Sequence, residues 1–414
     1  MTADLDALLA GAIDARLADA DADLARRFPG DAARRQPVHT VYVPADRYHG
    51  WTVPAWGEQA RAELDRFGDA DLAAVWQVGV PEAAGMRARL EAKLEHEPVE
   101  DLRIDLEDGY GVRRDTEEDE HVLAAARALA ASPHSPFSGI RVKCLEPPVR
   151  RRGLRTLRLF LETLAAAGGV PDGFVVTLPK VTSVDQVAAF AEALDLLEAS
   201  LGLGRVPFEI QVETPQAILG PDGTALVAKM LHAAGGRVTG LHYGTYDYSA
   251  SLGVAAAQQS LEHPVADHAK AVMQVAAAGT GVFVSDGSSN VLPVGSNDEV
   301  RAAWSLHARL VRRSLAAGLY QGWDLHPAQL VSRYGATYAF FRDGFGPAAR
   351  RLRDYVRGVE GGVLDEPATA AAMAGFLLRA LECGAVDATD LDTAVGIGVT
   401  ELTGLSRRAT AGAS

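Results

Sequence analysis

The chain has 414 residues, of which 48% are hydrophobic and 23% charged, so it can bury a large core and has an ordinary globular composition. Its formal net charge of −14 argues against a nucleic-acid or anionic-membrane partner, because such surfaces bind basic faces. The only cysteines, Cys144 and Cys383, form neither a disulfide framework nor a thiolate cluster. No apolar run reaches the ~18 residues of a membrane span and no leader pattern opens the chain, so we expect a cytoplasmic protein.

The first predicted element is an amphipathic helix over residues 4–26 that docks onto the body of the protein. The apolar residues that share its face are Leu5, Leu8, Leu9, Ala12, Ile13 and Leu17.

After Pro37, β-like apolar runs alternate with Ala- and Leu-rich helical patterns. Eight strands in strict alternation favour a closed (β/α)₈ TIM barrel over an open doubly wound sheet. The predicted strands are His39–Val43, Leu102–Leu106, Ile140–Cys144, Phe174–Leu178, Phe208–Val212, Val238–Tyr243, Gly281–Val284 and Gln321–Leu325.

Three segments follow from this pattern. We predict an N-terminal helical segment at 1–36, a catalytic barrel at 37–335 and a C-terminal helical extension at 336–414. The first connection, about 44–100, is too long for one helix and is predicted to be an insertion that forms a lid or an interface. In the extension, helices are expected at 347–359 and 367–383, and the extension covers either the barrel mouth or a neighbouring subunit.

Glu213 and Asp247 stand where strand-like runs give way to helix signals, about one strand-plus-helix unit apart. Both carboxylates can therefore lie at the same rim on neighbouring strands. Two hard oxygen ligands favour Mg²⁺, with Mn²⁺ as the alternative ion, because Mg²⁺ takes few protein carboxylates and completes its shell with water and substrate oxygens. The alternative for each acid is a plain helix cap.

The strand ends, read in order, resemble the citrate lyase beta-subunit and malyl-CoA lyase group, the HpcH/HpaI aldolase/citrate lyase family, over residues 39–333. The phrases that carry the resemblance are Val-Pro-Ala-Asp-Arg47, Asp-Leu-Glu-Asp108, Arg141-Val, Leu-Pro-Lys180, Val-Glu213-Thr, Tyr-Gly-Thr-Tyr-Asp247 and His326-Pro-Ala-Gln329.

The resemblance implies that Glu213 and Asp247 ligate Mg²⁺, and that Arg141 holds the carboxylate or carbonyl of a 2-oxo acid. Asp105, Glu107 and Asp108 would form an acidic cluster that orients metal-bound waters. Glu107, Asp108 and Arg47 would also bind the substrate. Bond formation or cleavage beside a 2-oxo acid passes through an enolate, which a metal stabilises as a Lewis acid.

Two departures and one weaker match qualify the resemblance. Lys143 stands where the family usually has Asn, and the long first connection differs from the citrate lyase type, which puts a CoA thioester substrate in question. Gly-Val-Leu-Asp365 resembles a C-terminal phrase whose aspartate reaches a neighbouring site, so Asp365 is the candidate proton-transfer residue, with a helix cap before Pro367 as the alternative.

We therefore predict a Mg²⁺-dependent carbon–carbon lyase or aldolase acting on a 2-oxo acid or hydroxyacid, assembled as a trimer or hexamer. The alternatives are a phosphoenolpyruvate-linked phosphotransfer enzyme and a non-catalytic 2-oxo acid-binding barrel. We expect structural roles for His242 and His326, an ion pair for Lys180, and a solvated helix face for the arginines between 150 and 158.

Overall fold

The computed structural model describes residues 2–31, 34–132, 135–358 and 366–408. Eight parallel strands form a closed barrel in sequential order, and β1 pairs with β8 through His39 opposite Gly322 and Val41 opposite Asp324. The predicted (β/α)₈ barrel is thus confirmed. Its strands are β1 His39–Pro44, β2 Asp101–Asp105, β3 Phe137–Arg141, β4 Phe174–Leu178, β5 Phe208–Val212, β6 Val238–Tyr243, β7 Phe283–Ser288 and β8 Gln321–Asp324.

Helices surround the strands and extend the chain at both ends. They are α1 Thr2–Arg27, α2 Thr52–Leu64, α3 Asp69–Trp76, α4 Val80–His96, α5 Asp115–Ala131, α6 Arg150–Ala166, α7 Val184–Leu201, α8 Pro215–Ile218, α9 Leu226–Ala233, α10 Thr245–Ser251, α11 Pro264–Ala277, α12 Asn297–Ala316, α13 Gln329–Val356, α14 Pro367–Glu382, α15 Ala388–Val395 and α16 Val399–Arg408. Within the described ranges, none is both long enough and apolar enough to cross a bilayer.

The barrel strands are apolar on the side that faces the helices and polar on the side that faces the barrel interior. Side chains alternate between the two sides because successive residues of a strand point in opposite directions. On β5, Ile210 and Val212 join the apolar core, whereas Glu209 accepts hydrogen bonds from Arg103 of β2. This alternation sends β5 Gln211 and the following Glu213 into the interior at the carboxyl end.

The first connection consists of α2, α3 and α4 and packs against the barrel's outer helices. Trp76 is fully buried, and its indole N–H donates to the Val331 carbonyl of α13 at 3.3 Å. Gly335 is required beside it, since a Cβ there would come within 1.9 Å of the Trp76 ring nitrogen. The end of α3 is therefore fixed to α13 rather than free to move as a lid.

The helix that follows β8 begins earlier than the sequence suggests. A helix was predicted to start at Pro347, but α13 begins at Gln329 and continues through Pro347 to Val356. The Arg379 guanidinium of α14 lies 4.4 Å from the centre of the Tyr320 ring, immediately before β8. Within its own chain α14 therefore lies near the amino-terminal end of the barrel, away from the mouth.

The N-terminal helix forms as predicted, but the expectation that it docks onto the body is wrong for the described chain. Leu5, Leu8, Leu9, Ile13 and Leu17 are between 45% and 65% exposed. The end of the helix lies close to the body, where the Phe28 ring is 5.5 Å from His232.

The strand order was predicted correctly, whereas the carboxyl ends of five strands were misplaced, those of β1 and β2 by one residue each. β3 ends at Arg141 rather than Cys144, and β7 spans Phe283–Ser288 rather than Gly281–Val284. β8 ends at Asp324, one residue early. An apolar run in the sequence indicates which residues are buried, but not where the hydrogen bonds between strands end. Val142 and Cys144 are buried although they lie beyond the end of β3, and for this reason the strand was predicted to be too long at that end.

Candidate functional site

The carboxyl ends of β2 to β6 bring most of the predicted site residues together. Asp105 and Arg141 are the last residues of β2 and β3, and Lys180 follows β4. Glu213 follows β5 directly, and Asp247 lies in the first turn of α10 after β6. Residues after parallel strands meet at one end of a barrel, where its active sites form.

Arg141 is bound to Asp105 on one edge of its guanidinium. Its Nε and Nη2 each donate to a different Asp105 oxygen at 2.7 Å, and both side chains are buried. Nη1 faces Gln211 Oε1 at 3.3 Å and Glu107 at 3.6 Å. Burial opposes the charge of Arg141, yet Asp105 and Glu107 hold its pKa well above the usual value. Arg141 is therefore a fixed cation whose Nη1 side points toward the acidic cluster.

Asp105 is itself fixed by the loop that follows β2. Its two oxygens accept hydrogen bonds from the backbone N–H groups of Glu107 at 3.0 Å and Gly109 at 2.8 Å. A Cβ at Gly109 would approach Asp105 Oδ2 to 2.6 Å, so glycine is needed for this turn. Asp105 thus positions Arg141 and has little capacity left for a ligand.

Lys180 lies at the centre of the acidic residues. Its ammonium is 2.6 Å from Glu107, 2.7 Å from Asp108 and 3.0 Å from Asp247. Burial lowers the pKa of Lys180, but Glu213 and Glu107 outweigh it and raise the pKa above its usual value. The ion pair expected from the sequence is present, and it lies inside the candidate site rather than elsewhere in the barrel.

The backbone at Lys180 serves the same site. Its φ of 51° is in the left-handed region, which is uncommon for a residue with a side chain and is found often at functional positions. The Lys180 N–H donates to Glu213 Oε1 at 2.8 Å. One residue therefore contacts Glu213 through its backbone and Asp247 through its side chain.

Glu213 is a buried carboxylate with only 2% exposure. Besides the Lys180 N–H, it accepts a hydrogen bond of 2.5 Å from the Gln211 side-chain amide. Burial raises the pKa of Glu213 to about 8, against the opposing effects of Lys180 and Arg141. A Cβ at Gly244 would lie 2.6 Å from Glu213 Oε2, so Gly244 leaves the space that this carboxylate occupies.

The acids fit a magnesium site better than a zinc site. No group of three or more His, Cys, Asp or Glu side chains suited to a metal occurs in the described ranges. Glu213 and Asp247 follow the neighbouring strands β5 and β6, are linked through Lys180, and act on one another electrostatically. A closed structural zinc site needs four ligands, whereas Mg²⁺ is held by one or two carboxylates with water and substrate.

Several candidate residues lie outside this cluster. Arg47 is exposed on the loop after β1, without an ion pair in the part of the chain that the structure describes. Lys143 binds Glu118 at 2.9 Å and the Leu106 carbonyl at 2.8 Å, so the departure from the family's Asn stabilises α5 rather than facing substrate. Asp365 lies outside the described residues.

The remaining basic and histidine candidates have structural partners. Arg155 binds Asp119 and Arg158 binds Glu162, and both are exposed as expected for a solvated helix face, whereas Arg152 is mostly buried and binds Glu118 and Asp119. His242 lies in the barrel interior, 3.0 Å from Glu209, and accepts from the Trp323 indole.

Gln211 was missed in the sequence although a signal was present. It stands two residues before Glu213, and the strand period of two puts both on the interior face. Its amide donates to Glu213 and its oxygen faces Arg141, so it links the predicted metal ligand to the predicted substrate-binding arginine.

The fold and the rim of polar residues define a TIM-barrel protein with a candidate site at the carboxyl ends of its strands. The chain belongs to the family described as a domain of unknown function, DUF6986, whose model matches residues 17–410. Among proteins of curated function, none matches the sequence.

Solved structures with the same fold include two enzymes. One is CitE from Mycobacterium tuberculosis, in complex with magnesium, acetoacetate and coenzyme A, with a TM-score of 0.50, 19% identity, and coverage of 85% of this chain and 100% of that chain. The other is malate synthase from Haloferax volcanii in a magnesium and glyoxylate complex. Its TM-score is 0.51 and its identity 15%, and the match covers 90% of this chain and 99% of that chain. At these identities the comparison shows a shared fold.

Proposed function

We propose that the protein is a Mg²⁺-dependent carbon–carbon lyase or aldolase that acts on a small 2-oxo acid such as pyruvate, oxaloacetate or glyoxylate. The observation that carries the proposal is the connected set Arg141, Glu107, Lys180, Asp247 and Glu213 at one end of the barrel. The malate synthase structure named above contains magnesium and glyoxylate, a 2-oxo acid, which supports this ligand class here, and the CitE structure contains magnesium with a different small oxo acid, acetoacetate.

Glu213 and Asp247 would hold the ion. When bound, Mg²⁺ would supply Lewis acidity toward the oxo and carboxylate oxygens of the substrate. A buried carboxylate whose pKa is raised by burial gains most from a nearby cation, and Glu213 is such a group. Gln211 and the Lys180 N–H orient its two oxygens.

Arg141 would bind the substrate carboxylate from its Nη1 side. Its Nε and Nη2 are committed to Asp105, so the contact would be made at the end of the guanidinium rather than along that edge. Such a fixed cation, held in a dry site, stabilises charge that develops on the substrate without reorganising during the reaction.

The proton-transfer residue is proposed to come from a neighbouring chain. The phrase that ends at Asp365 resembles one whose aspartate reaches a neighbouring site, so Asp365 would act at the site of an adjacent copy. A site shared between two chains requires a homo-oligomer, and we propose a trimer or a hexamer.

The test is NMR of pyruvate in D₂O with the protein and Mg²⁺. Enolisation exchanges the methyl protons for deuterium without a second substrate, so exchange that depends on Mg²⁺ and is lost in Glu213→Ala supports the proposal. Pyruvate binding without exchange would favour the non-catalytic alternative, and turnover that requires a nucleotide would favour phosphotransfer.

A further inference from the structure

Helix α1 carries an apolar face that the rest of the described chain leaves uncovered. Its five large apolar residues up to Leu17 are roughly half exposed, and a backbone hydrogen bond to the barrel is made after the helix, where the Gly30 N–H donates to the Gly279 carbonyl. Isolated helices are marginal in water, and most of their stability in proteins comes from packing an amphipathic face. A partner for this face is therefore expected.

Two residues of opposite charge lie on that same face. The helical repeat of 3.6 residues places Asp6 and Arg16 beside Leu9 and Ile13. Neither Asp6 nor Arg16 has an ion-pair partner in the ranges that the structure describes. An apolar face with one unpaired acid and one unpaired base indicates a partner that supplies the matching charges.

The arrangement of these residues is symmetric about Gly11. Leu9 and Ile13 are equidistant from it, as are Asp6 and Arg16, and so are Leu5 and Leu17. If a second copy lies antiparallel and is centred at the level of Gly11, which itself lies on the far side of the helix, Leu9 meets Ile13 of the other copy, and Asp6 meets Arg16 twice. A two-fold interface of this kind is self-complementary, which is the commonest form of association between identical chains.

We propose that α1 is a self-association element, in which two copies of the chain pair antiparallel about Gly11 through Leu9, Ile13, Asp6 and Arg16. This inference is independent of the proposed catalytic function. The pairing joins two chains at their N-terminal helices, away from the acidic site at the barrel mouth.

The experiment is a charge swap read by sedimentation equilibrium of the full-length protein over a range of concentrations. Asp6→Arg places two arginines together at both ends of the pair, and Arg16→Asp places two aspartates together. Each single variant is expected to halve the mass of the parent at concentrations where the parent is paired. The double variant Asp6→Arg/Arg16→Asp restores opposite charges and is expected to restore the mass.

The matched control is Asp14→Arg, which makes the same charge change on the opposite face of α1 and should leave the mass unchanged. Circular dichroism checks that each variant keeps its helix content, and Leu9→Ser/Ile13→Ser gives a second disruption without any change of charge. A parent of the same mass as Asp6→Arg would overturn the proposal. So would single variants that lose mass without recovery in the double variant, because a parallel pair or a different partner does not require that recovery.

Discussion

Arg141 and Asp105 form a buried bidentate pair, with both hydrogen bonds at 2.7 Å. The pair determines which part of the guanidinium can reach a ligand. The family resemblance assigned Arg141 to the substrate, whereas its Nε and Nη2 bind Asp105 and leave Nη1 to reach a ligand. Asp105 is therefore a positioning residue, and its effect on activity should pass through Arg141.

Arg141→Lys and Asp105→Asn should both impair the reaction at the step that develops charge. Lysine keeps the charge but cannot hold Asp105 and face the site at once, so we expect kcat/KM to fall by ~1.5 to 3 kcal/mol of transition-state stabilisation. Mg²⁺ affinity should change little. Kinetics of pyruvate deuterium exchange measure the first quantity and calorimetry the second. Activity within a few-fold of the parent in both variants would remove Arg141 from the reaction.

Glu213→Ala and Asp247→Ala are each expected to abolish detectable Mg²⁺ binding while the fold persists. Loss of one of two protein ligands leaves the ion held mainly by water. Calorimetric titration of Mg²⁺ in the presence of oxalate, a mimic of the enolate, is the measurement. Asp115→Ala, an exposed acid at the start of α5, is the control and should bind as the parent does. Unchanged affinity in both test variants would leave the acids as helix caps or ion-pair partners.

Lys180→Met should make the stability of the protein depend more strongly on Mg²⁺. Without the ammonium, the largely buried Glu107 loses a cation, so the free energy of unfolding without metal should fall by ~1 to 3 kcal/mol. Added Mg²⁺ should recover most of that loss, since Asp247 is then released from its ion pair. Thermal unfolding without Mg²⁺ measures the loss of stability, and thermal unfolding with Mg²⁺ measures how much of it is recovered. Lys229→Met, at the exposed pair with Asp222, should show neither effect.

Features that depend on neighbouring residues could be predicted from the sequence, whereas contacts between residues far apart in the chain could not. Alternating apolar runs predicted the barrel, since burial of a strand is a local property. The end of β3 at Arg141 could not be predicted from the local sequence, because it depends on hydrogen bonds to the neighbouring strands. The Lys180 contacts with Glu107 and Asp247 join loops after three different strands, and no spacing rule places them together. The apolar face of α1 was read correctly, but periodicity does not say what covers it.

Asp324→Asn should destabilise the barrel where β8 closes against β1. The Asp324 carboxylate accepts from His39 at 2.9 Å and from Arg333 at 3.0 Å, and it is fully buried. The amide removes the charge that compensates the buried Arg333, so we expect a loss of ~3 to 5 kcal/mol in denaturant unfolding at pH 7. Asp343→Asn, at an exposed pair, should cost far less.

The same carboxylate predicts a pH dependence of stability. Burial opposes its charge, but Arg333 and the histidines outweigh burial and hold the pKa of Asp324 well below its usual value. A depressed pKa in the folded state contributes stability above the unfolded pKa of ~3.9, and that contribution is lost as the pH falls below it. The parent should therefore lose stability between about pH 4 and pH 2 more steeply than Asp324→Asn. Denaturant unfolding of the parent and of Asp324→Asn, measured in parallel across that pH range, tests this expected difference in slope.

Mixing Asp365→Ala with Glu213→Ala protomers should restore part of the activity that each variant lacks alone. If Asp365 serves the site of an adjacent copy, a mixed oligomer contains some sites with an intact Glu213 from one chain and an intact Asp365 from another. Subunits are exchanged by mild dissociation and reassembly, and pyruvate deuterium exchange is measured against unmixed controls treated in the same way. Recovery above both controls requires a shared site, because no single chain in the mixture carries both residues. If Asp365→Ala alone retains full activity and mixing adds nothing, Asp365 is a helix cap before α14 and the proton-transfer residue lies elsewhere at the rim.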